Sequence, residues 1–231
     1  MNNSHHSTNH YFVKTAGLLS IFSGIILTGI LFYAIIVLNS LGLTFKIFEE
    51  RPSFIGWLEK NHVAYSILWI QYAFSAIIML PVPNASSHVL HHSGSRSSSL
   101  IKITHIIGSC GFLIVLASSI FLYASSPVIA RSHASDMQHS VLLIEIFESL
   151  GLNFRLTGEL MIGIWLLGLA AYRIKKNRVD NFGWFLVFSF LCIVVITTAK
   201  AVGFFDFEPV LMVILAATYI WVGISIRKKV S

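Results

Sequence analysis

At 231 residues, with 55% hydrophobic and 11% charged residues and a mean hydropathy of +0.77, the chain is too apolar for one large or two small soluble domains. Its net charge of +6 is concentrated in the connections between apolar runs, so it reads as a topology signal and gives little reason to expect a nucleic-acid partner. The runs are too long and continuous for the alternating segments of a membrane β-barrel, which leaves an all-α polytopic helix bundle in a single domain.

The predicted spans, in chain order, are 16–38, 63–80, 103–124, 156–174, 182–202 and 210–226. The first lacks a small-residue cleavage site after it and is expected to be a retained span. Between spans one and two, the stretch "TFKIFEERPSFIGWLEKNH" mixes charge with aromatics and is expected to lie on the membrane surface. The loop "PVPNASSHVLHHSGSRSSSL" that follows opens with two prolines expected to end span two, and its composition predicts a flexible connection.

After span three, "DMQHSVLLIEIFESLG" places Leu143, Ile146, Phe147 and Leu150 at helical spacing, with Gly151 suited to end a helix. It reads as an interfacial helix across the outer mouth of the bundle.

Six spans put the termini and the even-numbered connections on one side. That side carries ten bases against Asp180 alone, and the other carries six bases against nine acids. The positive-inside rule then predicts cytoplasmic termini. Tyr172, Trp184 and Trp221 fall at inner span ends, and Tyr65 and Tyr123 at outer ends, as amphipathic rings prefer.

No metalloprotease, serine-hydrolase, phosphate-loop or paired-cysteine motif occurs. Cys110 and Cys192 lie near the middle of spans and read as small apolar residues. Of ten histidines, His5, His6 and His10 sit in the polar N-terminal segment, and His88, His91 and His92 in the Ser-rich loop. That loop's Pro, Gly and Ser content argues against the helix that would align the three imidazoles, so no metal site is expected. His62 and His105 fall at opposite ends of the bundle, unsuited to a shared haem, and no cofactor is expected.

The remaining candidates are charges near the membrane edge. Folding the chain about residue 178 brings Glu159 and Lys200 to nearly the same height, near the outer surface, with Arg155 one turn further out and Asp206 and Glu208 nearby. Two readings stay open: a vestibule in which Glu159 and Lys200, with Arg155 nearby, meet a small polar ligand or pass a proton, or a structural role, either as a stabilising ion pair or as side chains that snorkel to the headgroups. Gln71, halfway through span two, is expected to hydrogen-bond across the bundle to Thr197, Thr198 or a serine, and is a candidate ligand contact if a water-filled cavity reaches it. Gly24 with Thr28, and Gly108 with Gly111, read as close-packing positions.

The six-span layout, with "KTAGLLSIFSGI" opening span one, "MLPV" closing span two and "YRIKKNRVDNFGWFLVFSFL" joining spans four and five, resembles a family of short bacterial integral membrane proteins of unknown function. That family usually has a Pro-Arg-Trp-Leu-Gly type of turn at the last position; this chain keeps Trp184, lacks the proline, and has Gly183 before the tryptophan. The resemblance implies a bacterial inner-membrane location and carries over no catalytic residues. The expected function is non-enzymatic: small-molecule binding, transport or a membrane-stress role, with the lipid bilayer as the main partner. An intramembrane enzyme acting on lipid, with Glu159 as acid or base and Lys200 tuning it, and a membrane subunit of a larger complex are the alternatives.

Overall fold

In a computed structural model, described for residues 3–91, 99–132, 137–176, 180–202 and 208–228, the chain is helical apart from short connections, with no strand among the described residues. The helices are α1 (Asn3–Phe32), continued by a π-helical segment at Tyr33–Leu38, then α2 (Phe45–Glu49), α3 (Arg51–Met79), α4 (Pro81–His91), α5 (Ser99–Ser132), α6 (Met137–Lys176), α7 (Asn181–Ala201) and α8 (Glu208–Lys228). Six stretches are long and apolar enough to cross a membrane: His10–Leu38, Arg51–Ser87, Lys102–Ser132, Gln138–Lys176, Asn181–Ala201 and Pro209–Lys228. The described residues therefore form an all-α bundle with six helices of the length and composition that crossing a membrane requires.

Lipid gives helices no hydrophobic reason to associate with one another, so close packing and buried hydroxyl bonds must hold them. Glycine supplies the packing. A Cβ on Gly24 would lie 2.6 Å from the Ala216 carbonyl oxygen, and one on Gly223 would lie 2.4 Å from that of Gly17, which fixes α1 and α8 as antiparallel neighbours. Gly111 and Gly158 make the same backbone-to-backbone approach between α5 and α6, and Gly108 receives the face of Trp165. Hydroxyls tie the same seams, Ser20 donating to the Tyr219 carbonyl at 2.7 Å and Ser118 to that of Gly151 at 2.6 Å, and between α1 and α3 Ser23 meets Ser75 at 2.7 Å.

These registers put both ends of the chain at one end of the bundle. The other is called the distal end here; it is built by the 39–62 segment and the N-terminal half of α6.

Three connections differ from their sequence reading. The stretch expected to be a separate interfacial helix is the start of α6, a 40-residue helix that passes through Gly151 without a break. Gly151 is held there because Leu122 fills the place of its missing side chain, 2.5 Å from a built Cβ.

The loop opening with Pro81 and Pro83 is helical as far as His91. Both prolines fall in its first turn, where backbone N–H groups lack intrahelical acceptors anyway. Helix therefore reaches His88 and His91, while His92 and those histidine side chains lie outside the described residues, as do the side chains of His5 and His6.

The 39–62 segment folds inward. Gly42, at φ +91°, closes the π-helical segment; Trp57 Nε1 donates to the Leu41 carbonyl at 2.7 Å; and Phe54, Ile55 and Leu58 are fully buried. α3 kinks at Asn61 (φ −124°, ψ 16°), whose side chain returns to the Trp57 carbonyl at 3.0 Å. The cap over the distal end is thus made by this segment.

A cavity at the distal end as the candidate functional site

The wall of the site begins with residue spacing on α3. Tyr65, Trp69 and Tyr72 recur at four and three residues, which places them on one helical face. They stack in series, Tyr65 edge-on to Trp69 at 5.9 Å and Trp69 against Tyr72 at 5.7 Å, and Phe54 continues the row at 5.6 Å from Tyr65.

Opposite these rings, Leu31, Ala34, Ile35 and Leu38 come from the end of α1 and its π-helical continuation, with Leu122, Leu152 and Met212 from α5, α6 and α8. Together they line a half-open cavity of about 280 Å³. π-helical segments recur at functional sites because they re-aim side chains. Here the Tyr33 hydroxyl anchors the segment by donating to the Ala64 carbonyl at 2.9 Å.

The lining carries three charged side chains, Arg51, Glu148 and Lys200. Arg51 reaches Glu148 at 2.5 Å, joining the start of α3 to the distal part of α6. Lys200 and the Tyr65 hydroxyl also act on the Glu148 carboxylate. Two cations thus converge on one anion at the edge of an otherwise apolar chamber.

Behind the rings lies a second charged group. The Arg155 guanidinium sits over Trp69 at 5.7 Å and over Tyr72 at 5.5 Å, and its Nε is 3.4 Å from Glu159 Oε1. Both residues are buried, which removes snorkelling to the headgroups as a description of either.

The expected site residues are therefore distributed unevenly. Lys200 lines the cavity; Arg155 touches the far side of its aromatic wall; and Glu159 has its ion pair with Arg155. Gly163 on α6 packs against Phe190 and Ile193 of α7, and carrying that register about two turns distally sets Arg155, one turn from Glu159, level with Lys200.

Gln71 is half-buried, is not among the cavity-lining residues, and makes no hydrogen bond to the other described residues. Thr197, one of its expected partners, donates to the Ile193 carbonyl on its own helix at 2.7 Å. Asp206 and the side chain of Glu208 fall outside the described residues. Arg51, Glu148, Trp69 and Tyr72 were not singled out from the sequence; the aromatic repeat on span two was the available signal.

Toward the terminal end, a buried polar cluster surrounds His105. Trp165 Nε1, which can only donate, lies 3.2 Å from His105 Nδ1, so that nitrogen accepts and the ring carries its proton on Nε2. Ser86 lies 3.3 Å from the same nitrogen and donates to the Pro83 carbonyl at 2.6 Å. Among the described residues no group of His, Cys, Asp or Glu is arranged to hold a metal ion.

Comparison with protein-family models, with curated proteins and with solved structures finds no match to this chain.

Proposed function

We propose that the protein is a non-enzymatic membrane protein that binds, and passes across or along the bilayer, a small amphipathic molecule held in the distal cavity. The supporting observation is the composition of the lining: aromatic and aliphatic side chains around most of the chamber, with Arg51, Glu148 and Lys200 grouped among them. Ligand pockets commonly combine an apolar wall with a few placed polar groups, and at about 280 Å³ the chamber falls just below the usual range of about 300–1,000 Å³, which suits a small ligand.

The enzymatic alternative has less support, because Glu159, the acid or base it requires, is buried against Arg155 and does not line the chamber. A purely structural subunit is also less favoured. Its bundle would be filled, and Gly17, Gly24 and Gly223 are already used inside this one.

We further propose the cytoplasmic membrane of a bacterium as the location, with cytoplasmic termini. The support is the ten bases against one acid on the terminal side.

Native mass spectrometry of protein released from lipid nanodiscs tests the binding reading. One amphiphile per chain is expected on the wild type, and Ala34→Trp, which fills the chamber, is expected to lack it. Equal adducts on both proteins, or none on either, would refute the assignment.

A further inference from the structure

The side chains around the cavity also constrain the head group of its ligand, an inference that rests on the binding reading above. Among the described lining residues, Arg51 and Lys200 supply two positive charges and Glu148 one negative, an excess of one positive charge. An ionic head drawn into so apolar a site is costly unless its charge is balanced there. A single anion balances this lining, whereas a cation would add to the excess.

A second observation points the same way. Trp69 Nε1 is buried and has no acceptor among the described residues, although its ring lines the chamber. Indole N–H is a donor only, and a buried donor without an acceptor is costly; it is closed to the chamber in this structure, so an oxygen acceptor on a ligand meets it once a neighbouring side chain turns aside. The apolar remainder of the lining, Leu31, Ile35, Leu68, Leu122 and Leu152 among it, suits an aliphatic chain.

We infer that the cavity takes a single-chain amphiphile with a singly charged oxyanion head, a carboxylate or a phosphodiester, placed against Arg51 and Lys200 and accepting a hydrogen bond from Trp69 Nε1. A fatty acid and a lysophospholipid share that chemistry.

The test uses the full chain in phosphatidylcholine nanodiscs, with protein-free nanodiscs as baseline. Radiolabelled decanoate and radiolabelled decan-1-ol are titrated separately by scintillation proximity, and unlabelled decanoate, decanoyl lysophosphatidylglycerol and decyltrimethylammonium serve as competitors. The expected result is saturable decanoate binding about tenfold tighter than decanol binding, the size of one charge-assisted contact. Displacement is expected from at least one of the two anionic competitors and not from the cation. Whichever anion displaces more strongly identifies the source of the head group.

Lys200→Met is expected to weaken decanoate several-fold and leave decanol unchanged; Trp69→Phe, which keeps the aromatic wall if loss of the lysine impairs folding, is expected to weaken decanoate several-fold and decanol less, since the alcohol oxygen also accepts a hydrogen bond. Equal affinity for decanoate and decanol, or displacement by the cation, overturns the head-group inference and leaves the binding reading in place. Absence of saturable binding by both labelled probes overturns both.

Discussion

Arg155 and Glu159 form an ion pair one turn apart on α6, with Nε to Oε1 at 3.4 Å and only 1% and 7% of their side chains exposed. Removing one partner of such a pair leaves a buried charge, which costs about 3–5 kcal/mol, whereas replacing both with apolar groups is often neutral or stabilising. Arg155→Met should therefore lower stability by about that amount. Arg155→Met with Glu159→Leu should return to within about 1 kcal/mol of the wild type. Unfolding by steric trapping in bicelles measures both, and a single variant as stable as the wild type would contradict the pairing.

The Arg51–Glu148 bridge differs because Arg51 is 36% exposed while Glu148 is 8% exposed. Lys200 remains beside the carboxylate when the arginine is removed. Arg51→Gln should therefore cost about 1 kcal/mol, near the upper limit for solvent-accessible pairs, and less at high salt. The same unfolding assay at low and high ionic strength checks this. A loss several-fold larger would mean that Lys200 does not support the carboxylate.

Glycine packing gives a prediction with its own control. A side chain on Gly24 would meet backbone at 2.6 Å, and no flexible neighbour can yield that space, whereas nothing lies within 4 Å of a Cβ on Gly29. Gly24→Val should cost at least about 1–3 kcal/mol through forced separation of α1 and α8. Gly29→Ala should be neutral or favourable by up to about 1 kcal/mol. Thermal unfolding in detergent distinguishes them, and equal tolerance would refute the α1–α8 register.

At the turn before α7, outside the spans, Asp180 receives a two-pronged hydrogen bond from Arg173, through Nε to Oδ2 and through Nη2 to Oδ1 at 3.0 Å. That hydrogen bond, the largest influence, together with the positive charge, holds the carboxyl below the ordinary aspartate range. Because the folded-state value is lowered, its stabilisation is present above the unfolded value of about 3.9 and is lost as pH falls through the folded value. Asp180→Asn should thus lower stability by up to about 1 kcal/mol at neutral pH and flatten the decline below about pH 4. An unchanged acid limb in a pH series of melts would contradict it.

The spans were legible because lipid demands long apolar helices, and every predicted span falls within an observed one, allowing one or two residues at an end. What the residues did not disclose was the use made of helix-breaking types. Gly151 looks like a terminator, yet inside α6 it is the surface on which Leu122 packs. Pro81 and Pro83 follow the end of α3 at Met79, as their type suggests, but they also begin the next helix.

For the site, chain geometry alone placed Glu159, Arg155 and Lys200 at the distal edge. A shift of one helical turn in the α6–α7 register then changed which of them stands beside Lys200. The cavity could not be read from span periodicity, because it depends on the π-helical segment and the infolded 39–62 stretch, which come together only in three dimensions.

A chamber that binds a ligand must admit a small molecule. The most direct measurement is the thiol reactivity of Met212→Cys, a buried lining position, in a background with Cys110 and Cys192 replaced by alanine. Its reaction with N-ethylmaleimide should be much faster than that of Ile162→Cys, which is buried in the packed core away from the chamber, and should fall to the Ile162→Cys rate when Ala34→Trp is added. Equal rates at the two positions, or a Met212→Cys rate indifferent to Ala34→Trp, would contradict an accessible cavity and with it the proposed function.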